Sequence, residues 1–146
     1  VTQFLRDISA LYDFVLVDIK GVLNQETAIS ALSECFRVFT FVRPLVSDIE
    51  RVYKDDLILQ NYMFGPKVKN IVQTMIRDDE FSAEEFKTYG FNLLENIPFS
   101  LAVEKIGANN ELFVMGNYGS DKPSQLFRAA IKHIAELIVN SETGGK

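Results

Sequence analysis

"YDFVLVDIKGVLN", Tyr12 to Asn24, decides how this chain is read. An apolar run, Phe14 to Val17, ends on the acid Asp18, and a glycine follows at Gly21. A short apolar run without alternation is the pattern of a strand covered on both faces, as in a parallel sheet. A carboxylate at the end of such a strand is costly unless it is paired or used. Asp18 therefore has two readings. It holds a magnesium ion directly or through water, or it caps the next loop or pairs with a lysine such as Lys20. Gly21 lets a backbone N–H come close to a phosphate.

Outward from this stretch the chain alternates helix and strand. Upstream, Phe4, Leu5, Ile8 and Leu11 follow a helical period. Downstream, Asn24 is placed to cap a helix across "QETAISALSECF", and "RVFTFV" (Arg37–Val42) reads as a strand stopped by Pro44. "SDIE" (Ser47–Glu50) has the form of a capping box and starts a helix towards Gln60. Gly65-Pro66 breaks the chain before a third strand, about Val68 to Met75. "SAEE" (Ser82–Glu85) is a second capping box, and "FNLLENIP" a fourth strand ended by Pro98. A helical turn follows near Leu101 to Ile106, and "ELFVMG" reads as a short strand or a loop. Leu126, Phe127, Ala130, Ile131, Ile134 and Ile138 define a last helix, with Pro123 in its first turn.

This alternation predicts an α/β fold, a mostly parallel sheet of four to five strands flanked by helices on both faces. Residues 1–140 are expected to form one domain, followed by a polar tail at 141–146. In such sheets a ligand binds beyond the carboxyl ends of the strands. Those ends are Asp18–Gly21, Arg43-Pro44, Thr74–Arg77 and Pro98–Ser100.

Composition narrows the function classes. The 146 residues are 47% apolar and 24% charged, with a net charge of -5. An acidic chain lacks the broad basic surface of phosphate-driven nucleic-acid binding. No apolar run approaches a membrane span, and the first residues lack a leader pattern. The one cysteine, Cys35, makes no internal disulfide and reads as a small core residue, which fits a reducing, cytoplasmic setting. With His133 as the one histidine, soft ligands are too few for a zinc site. His133, among apolar positions of the last helix, reads as a boundary residue. Arg43, Arg77 and Lys122 are candidate anion contacts or solvated charges. "RDDE" (Arg77–Glu80) reads as a polar loop before a capped helix, with a metal-binding acid pair as the alternative. The phenylalanines read mostly as core, and the Tyr53–Phe64 segment as a candidate partner surface. No G-x-x-x-x-G-K-[ST] loop occurs.

"LYDFVLVDIKGVLNQETAISALSECFRVFTFVRPLVSDIERV" resembles the second half of a MinD/ParA-type ATPase. In that family a helix leads to a "YD" plus apolar strand ending in the Walker B aspartate; here these are Tyr12-Asp13 and Asp18. Arg37-Val38 and Ser47 match the next strand and helix starts. "FSAEEFKTYGFNLLENIPFSLAVEKIGANNELF" is similar to the later helix, the "IP" strand end and the "A-x-x-x-G" segment, and "GSDKPSQLFRAAIKHIAELI" to the closing helix. The layout is nearest to the pilus-assembly, CpaE/TadZ-like branch. The basic membrane helix of the cell-division branch has no counterpart in the polar tail.

The resemblance implies ATP and Mg2+ as cofactors, with Asp18 as catalytic and metal-holding acid and Gly21 in the phosphate-sensing switch. It brings Thr74 and Arg77 near the base, where "VQTMIRD" stands in place of the family's asparagine–arginine pair. It puts Pro98 and Ser100 in the loop beside the nucleotide. Implied partners are proteins of a positioning, secretion or pilus system, with a homodimer possible. Without the phosphate loop and its lysine, hydrolysis by these residues alone is not expected. A non-catalytic interaction module of the same fold is the alternative. "DIKGVL" also resembles the haloacid-dehalogenase strand end, with Asp18 as nucleophile, although Lys20 replaces the second aspartate.

Overall fold

A computed structural model describes residues 1–19, 26–62, 69–77, 80–108, 116 and 119–140. Among these, six helices and three strands form. In chain order they are α1 (Thr2–Ser9), α2 (Glu26–Glu34), β1 (Thr40–Val42), α3 (Val46–Gln60), β2 (Asn70–Ile76), α4 (Ala83–Thr88), β3 (Asn92–Pro98), α5 (Leu101–Ala108) and α6 (Lys122–Val139). The strands form one parallel sheet in the order β1-β2-β3.

Side-chain alternation along β2 distributes the core. Ile71 packs with Val42, with Ile49 and Val52 of α3, and with Phe86 of α4. Its neighbour Val72 packs on the other face with Ile97 and with Ala130 and Ile134 of α6. Successive strand residues point to opposite faces, so one strand seeds both layers. Helices therefore cover both faces, as the sequence pattern predicts, but the described sheet has three strands rather than four to five.

The missing strand is the decisive stretch itself. Tyr12–Ile19 forms no strand, and Tyr12, Phe14, Leu16 and Val17 are exposed. The apolar run alone does not make a strand, because a ladder needs a neighbour with open N–H and C=O groups. The "ELFVMG" segment, apart from Gly116, lies outside the described residues, as do Asn24 and the 141–146 tail.

The two capping boxes part company. Ser82 caps α4 as expected: its hydroxyl accepts from the Glu85 N–H, and Glu85 accepts back from the Ser82 N–H. "SDIE" forms no box. Helix α3 starts earlier, with Leu45 as its cap residue. Asp48 is taken by Arg43, which donates from Nε at 2.9 Å and from Nη2 at 3.1 Å. A bidentate arginine outcompetes the weaker local cap for the carboxylate.

Two bulges shape β2 and β3. Ile71 pairs with Leu93, but Val72 pairs with Glu95, so Leu94 is extra. An extra residue reverses which face the following side chains meet. Glu95 therefore turns to the α6 side and Asn96 to the Gln73 side. The second bulge is at Met75, whose φ of 57° is the left-handed value normally taken by glycine.

Candidate functional site

At the carboxyl ends of β2 and β3 the chain opens into a groove against the start of α6. One chamber, about 370 Å³, is lined by Ile76, Arg77, Pro98, Phe99, Lys122 and Leu126, with Pro123 beside them. The Met75 bulge directs the chain leaving β2 across this edge. Arg77 lies over the Phe99 ring, its guanidinium carbon 4.1 Å from the centroid. This cation–π contact holds the guanidinium at the groove. Phe99 is itself fixed, its N–H donating to the Ile76 carbonyl at 2.8 Å.

The far wall is pinned by buried hydroxyls. Asp121 caps α6, accepting from the Ser124 N–H at 2.9 Å and from the Ser124 hydroxyl at 2.8 Å. The Ser124 proton is thus spent, so the Ser100 hydroxyl donates to Ser124 across 3.0 Å. Ser100 also accepts from the Val103 N–H at 3.4 Å. These bonds hold the Asp121 carboxyl below its ordinary value, the Ser124 backbone N–H contributing most. Gly119 closes over the cap at φ +66°, where an added Cβ would stand 2.4 Å from the Ser124 oxygen. Because Asp121 occupies the helix start, Lys122 and Arg77, rather than bare N–H groups, are the groove's positive charges.

The residues singled out by sequence separate into two places. Arg77 and Pro98 line the groove, and Ser100 lies behind its wall, buried and bonded to Ser124. Thr74 stands just before the bulge, and its hydroxyl donates to the Val42 carbonyl at 3.2 Å. Arg43 is engaged by Asp48, whose carboxyl is lowered first by the side-chain hydrogen bond from Arg43. Lys122 lines the groove.

Asp18 is elsewhere. Its neighbour Ile19 packs on Leu32 and Leu59 together with Val38. Val38 precedes β1, and Leu59 ends the helix returning to β2, so this cluster lies at the amino ends of the strands. Asp18 does not line the groove that Arg77 and Pro98 share. Gly21 lies outside the described residues, as do Asp78 and Asp79 of "RDDE". Among the described residues no three His, Cys, Asp or Glu side chains converge as a metal ion requires. Among the described residues the groove brings together two cations, Arg77 and Lys122, and the Phe99 ring.

Sequence reasoning missed Phe99, Glu95 and the use of His133. His133 Nδ1 pairs with Glu95 Oε2 at 2.5 Å beside the groove. The visible signal was Glu95 interrupting an apolar strand; the bulge that aims it at α6 leaves no sequence mark. Among the described residues no helix is long and apolar enough to cross a membrane.

No family model matches this chain, and no curated protein or solved structure matches it.

Proposed function

We propose that this chain is a nucleotide-binding module of the MinD/ParA type, which positions or assembles a protein machine in the cytoplasm without hydrolysing nucleotide by its own residues. The groove at the carboxyl ends of β2 and β3, with Arg77 on Phe99 and Lys122 opposite, carries this reading. Two cations around an apolar floor suit a phosphate joined to a flat ring. The position agrees with the general rule for parallel sheets. The "IP" strand end and the α6 segment, which supply Pro98 and Lys122, are among the stretches that carry the resemblance. Its partners would be proteins of a positioning, secretion or pilus system, or a second copy of the chain.

Calorimetric titration with ATP tests the proposal. The expected result is saturable binding that weakens about tenfold in Arg77→Ala and again in Lys122→Ala, since a charge-assisted bond is worth about 1.5–3 kcal/mol. Absence of binding, or binding indifferent to both substitutions, would remove it. The haloacid-dehalogenase alternative needs Asp18 at a sheet strand end, and no observation favours it.

A further inference from the structure

β1 is an edge of the sheet: among the described residues only β2 pairs with it. An open edge is a template for another strand. Phe41, on this strand, is exposed, as is Phe36 shortly before it. The same chain holds an apolar run with no strand to join. Among the described residues no backbone hydrogen bond reaches Phe14–Val17. Phe14, Leu16 and Val17 are exposed.

The charges around the two features are complementary. Asp13 and Asp18 bracket the run, whereas Arg37 and Arg43 bracket β1. Each arginine has donors beyond those it spends. Arg43 gives Nε and Nη2 to Asp48, and Arg37 gives Nη1 to the Leu137 carbonyl. A parallel register that sets Asp18 beside Arg43 also sets Val17 beside Val42 and Leu16 beside Phe41. Side chains paired in this way share a face. Val17 then extends the side on which Val42 packs with Ile49 and Val52. Leu16 and Phe41 cover each other on the opposite face. The run cannot reach this register on its own β1. Its Ile19 is held against Val38, Leu32 and Leu59, whereas the register needs Ile19 beside Pro44, about 20 Å further along a strand.

We propose that two copies of this chain exchange these runs, Phe14–Val17 of each adding as a parallel strand to the outer edge of β1 of the other. The exchange is reciprocal, so one two-fold axis uses the same pair of surfaces twice. β1 lies on the far side of β2 from β3, away from the Arg77–Phe99 groove, so the contact needs no nucleotide. Two short strand pairs make a small interface, with an expected Kd of about 100 µM. At the low concentrations of an unfolding experiment the copies are apart and Leu16 stays exposed.

Sedimentation velocity from about 5 to about 500 µM, without nucleotide, is the first test. Wild type is expected to pass from monomer to dimer. Leu16→Asp and Phe41→Asp should each weaken the dimer tenfold or more, since each puts a carboxylate against an apolar neighbour. Leu16 is exposed, so if Phe41→Asp fails to fold, Leu16→Asp carries the test. The register is tested in a Cys35→Ser background by mixing a Leu16→Cys chain with a Phe41→Cys chain and oxidising. Adjacent strands stand about 4.8 Å apart, within the Cα reach of a disulfide. Bridges between positions 16 and 41 are expected to dominate. A monomer at every concentration, a dimer indifferent to Leu16→Asp, a dimer that forms only with ATP, or bridges chiefly between like positions would overturn the exchange. None of these results bears on the groove, which the ATP titration tests separately.

Discussion

Two apolar stretches of this chain meet opposite fates. β2 carries "NIVQTMI", and its Ile71, Val72 and Gln73 are completely buried. Phe14–Val17 is as apolar, yet Leu16 is 79% exposed and no strand forms. Composition does not separate them. β2 has β1 and β3 on its two edges and helices α3 and α6 on its two faces. Among the described residues the earlier stretch is followed by Ile19 in the Leu32–Leu59 cluster, and its Val15 is half-buried. Burial belongs to the assembly around a strand, not to the strand.

The largest expected effect comes from attacking both stretches alike. Ile71→Ala should destabilise the protein by about 2–5 kcal/mol through lost contacts and a cavity. Leu16→Ala should change stability by no more than about 0.5 kcal/mol, as at an exposed site. Urea unfolding followed by circular dichroism measures both, and a large effect at Leu16 would break the contrast. Next in size is Gly119→Ala, expected to cost about 2 kcal/mol, since it adds strain at positive φ and a clash with Ser124. A thermal melt would show it.

Ser82→Ala should cost about 1 kcal/mol by removing a formed cap. Ser47→Ala, in the box that does not form, should shift stability by less than about 0.5 kcal/mol. Equal losses at the two serines would contradict the assigned start of α3. The smallest effect is a pH dependence. Asp48 is lowered below the ordinary 3.8 chiefly by its side-chain bond from Arg43. A lowered carboxyl stabilises the fold fully above that ordinary value and loses its contribution as pH falls through the folded value. Acid titration of wild type should therefore show a steeper stability decline below pH about 3.8 than Asp48→Asn shows.

Much of the layered fold was legible because it is written in local periods. The α6 stripe from Leu126 to Ile138, the Ser82 box and the Pro98 strand end all depend on neighbours close in sequence. What was illegible depends on distant partners. Asp48 was read as part of a cap until Arg43 claimed it. Asp18 was read at a strand end that requires a neighbouring strand. The strand-end rule pointed to Arg77 and Pro98, which line the groove, but the Phe99 platform and the Glu95–His133 pair arise from folding of β3 against α6. Ser100 follows the end of β3, and its contact is with Ser124, a residue no local pattern marks.

The most direct measurement is an amide nitrogen–proton NMR titration with ATP, with and without magnesium. The account predicts saturating shifts at Arg77, Phe99, Lys122 and Leu126, at the carboxyl ends of β2 and β3, while Leu11 to Ile19 remain still. Shifts centred on Asp18 and its neighbours, with the Arg77–Phe99 groove unmoved, would contradict it.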